Sequence, residues 1–385
     1  MKLTLGIMFG AQSVEHEISI ISAIQAMEAL DKEAYDIVPL YFSKDKHLYS
    51  GDVLRNLSAY KDLKKLEKMA TLVSMVRINN EVVVKPVKRS VFFKHKSIDL
   101  VIPIVHGRHA EDGSIVGFCE TLGVPYVGSD VIAAAVGQDK VLFKHVLENS
   151  KLPVVPWFYF YKKNYLQNQA GILAHAKELG YPLIVKPATL GSSIGIGVAE
   201  NEREFVDVVE AAIMYDEKIL VEKKIEALRE INCSTLEADG QYRASVCEEV
   251  MKTDAILSYS DKYQSKSKSK GMASTARVIP AEIPEALSVR IQELSVLTSE
   301  VLNVGGVVRI DFIYDTKQDE VYINEINSIP GSLAFYLWEA DGIGFSELMD
   351  RLVHAAIARL RERERMISSY DTNLLASFKK RGIKS

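Results

Sequence analysis

Two carboxylates and an amide in the last third of the chain, Asp311, Glu325 and Asn327, have the types and spacing of an oxygen site for a hard cation. They lie in VVRIDFIYDTKQDEVYINEINSIPG, residues 307–331. Two β-rich stretches, 307–314 and 320–326, flank the polar segment 315–319, which predicts a hairpin. Side chains alternate along a strand, so Arg309, Asp311 and Ile313 share one face, and Ile323, Glu325 and Asn327 share one face of the return strand. Centring the turn on Gln318 sets Asp311 opposite Glu325, and cross-strand neighbours sit about 4.5–5.5 Å apart. Carboxylates that close repel unless a cation lies between them, and Asn327 adds a neutral oxygen. Such a sparse oxygen set suits Mg²⁺, which completes its shell with phosphate oxygens and water. Arg309 places a fixed positive charge beside it. An edge hairpin whose acids face water is the plainer reading of the same residues.

A second set of residues points to an anion. Residues 179–187 predict a strand with Lys186 at its exit, and TLGSSIGIG (189–197) follows at once. Its glycines let backbone N–H groups approach a phosphate, and Ser192 and Ser193 add donors. The loop lacks the G-K-[ST] of a Walker P-loop, and Val198-Ala199 read as a strand, so it caps a hairpin. An ordinary flexible turn has the same composition. Glu15 and His16 follow the first strand, and His106 follows the apolar run 98–105. Ligands of open α/β sheets collect beyond such strand ends. Glu15 would serve equally to complement a helix N-terminus, and His106 as a hydrogen-bonded structural histidine. Residues 252–276 alternate Lys and Ser between predicted strands. A long loop inside a compact domain is often an active-site lid, a linker being the alternative. Asp261-Lys262-Tyr263 is its most distinctive part.

The elements that must hold these groups alternate strand and helix. Residues 3–9 and Tyr35–Phe42 read as strands around a helix at 13–30, with further strands at 98–105 and 125–129 and a helix starting at 131. No G-x-G-x-x-G is present, which weakens a dinucleotide reading. Residues 44–97 form a lysine-rich, irregular insertion with a hairpin at Asn79-Asn80. Asn201 with Glu204 resembles a capping box ahead of a helix at 202–215. A strand at 218–222 and a hairpin at Asp239-Gly240 follow. Helices are expected at 286–302 and 345–361, with the RERER run and the tail after Ser368 facing solvent. At 385 residues the chain has room for two or three domains, divided here as 1–137, 138–227 and 228–385. A net charge of -4 argues against a nucleic-acid surface. Three scattered cysteines with no CxxC argue against a disulfide framework and a zinc site. There is no apolar run of the ~18 residues that span a bilayer, and no signal-peptide pattern. A cytoplasmic protein is expected.

Six stretches then fall in one order over about residues 5 to 352: SVEHEISIISA; HGRHAEDGS with PYVGS and DK; PLIVKPATLGSSIGIG; LVEK with RE; SDKY; and VVRIDF with INEINSIPG. Together they resemble the ATP-grasp superfamily, and within it the D-alanine–D-alanine ligases. The resemblance implies an α/β (α+β) chain with the ATP-grasp fold: a Rossmann-like N-terminal domain, a small central β-rich ATP-binding domain and a C-terminal catalytic domain. It implies ATP-dependent joining of two D-alanines through D-alanyl phosphate for peptidoglycan, with two Mg²⁺ or Mn²⁺ ions, as a homodimer bound to neither nucleic acid nor membrane. Lys140 and Lys186 would bind ATP phosphates under the loop of Ser192 and Ser193. Glu222 would meet the adenine region, Glu230 the ribose and Lys262 the transferred phosphate, with Lys223 also binding ATP. Asp311, Glu325 and Asn327 would hold the metal. Glu15, Ser192 and Tyr263 would recognise the first amino acid's ammonium, and His106 would sit near its carboxylate. Arg309, with the backbone at Gly331, would stabilise the tetrahedral intermediate. The acceptor side departs from the family. Ala110 replaces the usual glycine, Ser328 the common threonine, and Tyr336 the substrate-binding serine, with Leu337 beside it and Ser332 as an alternative donor. Rival readings are a different acceptor (D-serine or D-lactate), a non-catalytic nucleotide-binding protein, and a bicarbonate-using carboxylase.

Overall fold

A computed structural model describes residues 2–88, 94–107, 109–238, 240–251 and 276–367. The first sheet contains β1 (Leu3–Gly10), β2 (Tyr35–Phe42), β3 (Leu48–Ser50), β4 (Thr71–Ile78), β5 (Glu81–Pro86), β6 (Lys96–Ile98) and β7 (Leu100–Val105). Their order is β6-β5-β4-β3-β2-β1-β7. β1 is parallel to β2 and β7, and the other pairs are antiparallel. Helix α1 (His16–Ala29) and the long helix Phe345–Glu364 cover one face, where Leu5, Ile7 and Phe9 meet Ile20, Ile24, Leu348 and Leu352. Met8 and Val101 face the other way, against Ile115 and Val116. A strand covered on both faces reads as a continuous apolar run, and each such side chain contributes about 1.5–3 kcal/mol. Gly10 turns the chain off β1 at φ +92, where a Cβ would lie 2.3 Å from the Phe42 carbonyl. Ser19 Oγ accepts from Gly10 N at 2.7 Å and donates to the Ile104 carbonyl at 2.5 Å. That pins α1, and with it Glu15, to the carboxyl ends of β1 and β7.

Several expected elements differ. The described part of segment 44–97 is not irregular: β3 to β6 extend the sheet, with the short helix Leu63–Met69 between them and the Asn79-Asn80 hairpin in place. The expected strand 98–105 divides at Asp99, whose carboxylate accepts from Thr4 N at 2.7 Å. Segment 125–129 contributes a single bridge, Tyr126 to Val101.

The second sheet holds β8 (Trp157–Tyr161), β9 (Leu183–Pro187), β10 (Gly197–Ala199) and β11 (Lys218–Lys223), antiparallel in the order β10-β9-β11-β8. Helices Gln169–Leu179 and Glu202–Ala212 cover one face, packing Ile172, Ala176, Phe205 and Val209 on Phe160, Val185 and Val221. Lys186 and Glu222 emerge on the opposite face. β9 starts at Leu183, later than the sequence pattern suggests, because the preceding helix runs on to Leu179.

The third sheet comprises β12 (Leu228–Ala238), β13 (Gln241–Met251), β14 (Ala276–Val278), β15 (Val307–Asp315) and β16 (Glu320–Asn327), antiparallel in the order β14-β13-β12-β15-β16. Ile231, Val308, Ile310 and Phe312 pack on Phe143 of helix Lys140–Asn149 and on Ile291 and Leu294 of helix Glu285–Leu302. The C-terminal segment ties this sheet to the first. Trp338 sits in the first core and donates to Ser234 Oγ at 3.0 Å. The RERER run does not simply face solvent: Arg363 pairs with Glu120 at 3.1 Å and Asp130 at 3.7 Å. Among the described residues no helix is long and apolar enough to cross a membrane.

Candidate active site

β15 and β16 pair Asp311 with Glu325 and Arg309 with Asn327, the register expected from the sequence. The route to it is different. The turn pairs Asp315 with Glu320, off the Gln318 centre, and a one-residue bulge at Asn324 restores the register. Because a bulge sets two residues against one, Ile323 does not share a face with Glu325. It lies in the core with Phe312 and Ile326. Asn324 instead reaches the cavity, where its Oδ1 accepts from Lys186 Nζ at 3.2 Å. Two core isoleucines three residues apart are the sequence signal for that bulge.

The facing carboxylates are met by cations at their flanks rather than between them. Arg309 forks onto Asp311, Nε to Oδ1 at 2.6 Å and Nη2 to Oδ2 at 2.8 Å. Lys140 Nζ stands 3.5 Å from Glu325 Oε2. Burial raises the Asp311 pKa; Arg309 opposes this, and Glu325 and Glu248 add to it. Asn327 Nδ2 donates to Asp311 Oδ2 at 3.2 Å. No cluster of three His, Cys, Asp or Glu suited to a metal occurs among the described residues; here the third donor would be an amide. Carboxylate oxygens accept more than one partner, and an amide's O and N are assigned from their bonds. With the opposite amide orientation, Asp311, Glu325 and Asn327 offer three hard oxygens, and that donor set fits Mg²⁺ or Mn²⁺.

Beside the hairpin is a buried charge triad. Glu222, 1 % exposed, pairs with Lys144 at 2.6 Å and Lys186 at 2.5 Å. Burial alone would raise its pKa, but the two ammoniums pull it down to about 2. Burial pushes Lys144 down, with the like charge of Lys186 adding to it, whereas Glu222 outweighs burial at Lys186 and holds its pKa up. One carboxylate between two ammoniums leaves a positive excess beside the glycine loop. Lys140 Nζ donates to the Leu190 carbonyl at 2.9 Å, steadying that loop. Lys144 carried no sequence signal, being one lysine among many on a helix.

The loop reaches the first sheet through Ser192, whose Oγ donates to Glu15 Oε1 in a short bond. Ser192 and Ser193 both have left-handed backbone, φ 54 and 58, an unfavourable state for non-glycine residues. His106 is buried 3.4 Å from Ser22 Oγ. Burial lowers its pKa, against the pull of Glu15. Burial, with Glu15's charge added, pushes Glu111 up to about 7 even though it accepts from Gly107 N, Ile329 N and Ser328 Oγ. Glu111 therefore ties the His-Gly loop to the end of the hairpin, a role its motif alone did not reveal.

One cavity is lined by Glu15, His106, Lys140, Ser192, Glu230, Arg309, Asp311, Glu325, Asn327 and Gly331, candidates scattered over more than three hundred positions. Ser193 and Lys186 are not among its lining residues; Lys186 reaches it through Asn324. The carboxylate of Glu222 is committed to its lysines, and Lys223 Nζ donates to the carbonyls of Gly180 and Tyr181 at 2.8 and 2.9 Å. Ser332 is buried and donates to Gln25 Oε1 at 2.6 Å. Leu337 is fully buried. Ser332, Leu333 and Ala334 form a left-handed turn, φ 51, 54 and 50. Tyr336 donates to Glu248 Oε1 at 3.2 Å, and its ring lies under the Arg277 guanidinium, 4.9 Å from centroid to Cζ. Glu248, fully buried, also accepts from Asn232 Nδ2 at 2.9 Å. Asn232, Glu248 and Arg277 escaped the sequence reading. Lys262, Tyr263 and the rest of the expected lid up to residue 275 lie outside the described residues.

Residues 4–129 match the family described as D-ala D-ala ligase N-terminus, and residues 146–354 the D-ala D-ala ligase C-terminus. A D-alanine–D-alanine ligase of Thermosipho melanesiensis is 37% identical over 374 residues, covering 97% of this chain and 98% of the relative. The solved D-alanine-D-alanine ligase from Coxiella burnetii superposes with a TM-score of 0.79 at 28% identity, over 94% of this chain and 96% of that one. The D-Ala:D-Ser ligase from Enterococcus faecalis gives 0.77 at 26% identity, over 92% of this chain and 100% of that one. With both halves matched, in order and nearly end to end, the chain belongs to the D-alanine–D-alanine ligase family, within the ATP-grasp superfamily.

Proposed function

We propose that this protein is an ATP-dependent D-alanine–D-alanine ligase that makes D-alanyl-D-alanine for peptidoglycan through a D-alanyl-phosphate intermediate, in the cytoplasm and as a homodimer. The reading rests above all on one cavity that joins an ammonium-binding pair (Glu15, Ser192), a lysine-rich anion site and the Asp311–Glu325–Asn327 oxygen set. Residues 1–137 supply the first-substrate side, 138–227 the ATP side and 228–385 the catalytic hairpin.

A carboxylate is a poor acyl donor, and taking up the γ-phosphoryl of ATP gives it a good leaving group. Phosphoryl transfer is mainly positioning and charge neutralisation. Lys140 and Lys186 neutralise the phosphates, the latter pinned by Glu222. Divalent cations held by Asp311, Glu325 and Asn327 would add charge neutralisation there. Glu15 and Ser192 hold the ammonium of the first D-alanine, and His106 lies toward its carboxylate. When the second amine attacks, charge grows on the carbonyl oxygen; Arg309 and the Gly331 N–H stabilise it, phosphate leaves, and the amine loses a proton. A non-catalytic nucleotide binder would not need Arg309 and Lys140 lining the same cavity.

ADP release and product mass against a panel of D- and L-amino acids and D-lactate test the reading. Turnover with D-alanine, yielding the dipeptide, is expected; no D-alanine-dependent ADP would refute it. Tyr336, in place of the family's serine, is the observation that keeps D-serine or D-lactate as a second reading for the acceptor.

A further inference from the structure

We propose that Arg277 anchors the carboxylate of the acceptor amino acid. The inference rests on the ligase reading and assigns its second substrate a docking group. Arg277, on edge strand β14, lines the same cavity as Arg309 and Gly331. The two arginines differ in what they have left to offer. Arg309 has its fork filled by Asp311. Arg277 touches Glu248 only through Nη1 at 3.4 Å, and its Nε–H is buried with no hydrogen-bond partner among the described residues. Buried donors without partners are rare in folded proteins, and a planar guanidinium with an open edge matches a carboxylate in two parallel bonds.

The surroundings fit a positioned group rather than a neutralised one. The Tyr336 ring supports the guanidinium from one face at 4.9 Å. Glu248 is held in turn by Asn232 and Tyr336, at 2.9 and 3.2 Å. The hydroxyls that could otherwise take the acceptor are engaged, Ser332 with Gln25 and Tyr336 with Glu248. The tyrosine at 336 then acquires a reason: a serine there could not carry the arginine. The acceptor is accordingly a small amino or hydroxy acid with a free carboxylate.

The test uses the full chain with ATP, Mg²⁺ and D-alanine, and two readouts. Ligation reports both subsites. Hydroxylamine, which attacks the acyl phosphate and releases phosphate to leave D-alanyl hydroxamate, reports the first half-reaction without the acceptor carboxylate. For Arg277→Gln we expect a second-site KM raised roughly ten- to a hundred-fold, the range for a hydrogen bond to a charged group, with hydroxamate formation unchanged. Preference for D-alanine over D-alaninamide as acceptor should collapse with it. Tyr336→Phe keeps the ring and should leave the second-site KM within about twofold. A parental second-site KM and parental amide discrimination in Arg277→Gln overturn the proposal. A Tyr336→Phe defect as large as that of Arg277→Gln also overturns it, because the anchor is then the hydroxyl. Loss of hydroxamate formation in Arg277→Gln and Arg277→Lys alike overturns it too, since the residue then serves the first step or the fold. If the parent forms neither ADP nor hydroxamate with D-alanine, the ligase reading itself fails, a result none of the variants can produce.

Discussion

Glu325→Gln and Asp311→Asn remove the same charge from the cavity but should not behave alike. Each is expected to lower ADP formation by on the order of a hundredfold or more, the size of a lost cation-stabilising contact. Glu325→Gln should lose less stability than Asp311→Asn, because its contact with Lys140 is longer, at 3.5 Å, and not forked. Asp311→Asn strips Arg309 of its fork partner, so it should also lose roughly 3 kcal/mol of stability, as when one member of a buried pair is removed. Turnover and chemical unfolding on both variants would show this, and near-parental turnover in either would remove it from the metal set. Glu111 calls for a different measurement. Its pKa rises from 4.5 to about 7 on folding, so between those values the folded state binds more protons than the unfolded one. Its contribution to stability is therefore greatest below about pH 4.5, falls as pH rises toward 7 and levels off above, by about 3 kcal/mol at most. Glu111→Gln should flatten that part of the unfolding free energy measured from pH 5 to 7.5; an unchanged slope would show that Glu111 stays ionised. The sequence disclosed residues whose chemistry shows in their type and motif, such as Asp311, Lys186 and Glu15. It was silent on Lys144, Asn232, Glu248 and Arg277, whose meaning comes only from burial beside a partner distant in the chain.

At the scale of elements, the catalytic hairpin was legible as a hairpin and its decisive irregularity was not. Alternation alone put Ile323 beside Glu325, whereas the bulge at Asn324 sends Ile323 to the core and Glu325 to the cavity. A bulge depends on tertiary fit, and a pattern of period two cannot register an inserted residue. Deleting Asn324 would make the ladder regular from Asp315 onward and leave Glu325 opposite Asp311, but it would remove the bend of the bulge and the acceptor that Lys186 Nζ uses. That variant should lose ligation even if the sheet forms, and circular dichroism with ADP release would separate the two effects. Retained turnover would mean that neither the bend nor the Lys186–Asn324 contact serves the reaction. Segment 44–97 was misjudged for a related reason: its short strands lack long apolar runs and gain their place only by pairing edge to edge with β2.

Across the whole molecule, the first sheet is covered on both faces, and each of the three sheets contributes residues at or beside the common cavity. Strand–helix alternation made the first sheet foreseeable. The approach of the three sheets was not, because the contacts that set it are single side chains, such as Ser192 on Glu15, Lys186 on Asn324 and Arg363 on Glu120. The left-handed turn at Ser332, Leu333 and Ala334, placed where the third sheet hands the chain back to the first, bears on how this enzyme can change over generations. Each non-glycine residue in that conformation stores about 1 kcal/mol, so glycine is the cheapest route to a sturdier protein there. Ala334→Gly should raise the melting temperature by about 2 °C. It should also slow ligation several-fold, since the turn follows Gly331 directly and the freed chain no longer holds that N–H in place; equal turnover would break the link. A lineage selected for heat tolerance alone would be drawn to glycine at this spot, and one selected for speed would be driven from it. Persistence of the costly turn would then record which pressure has prevailed.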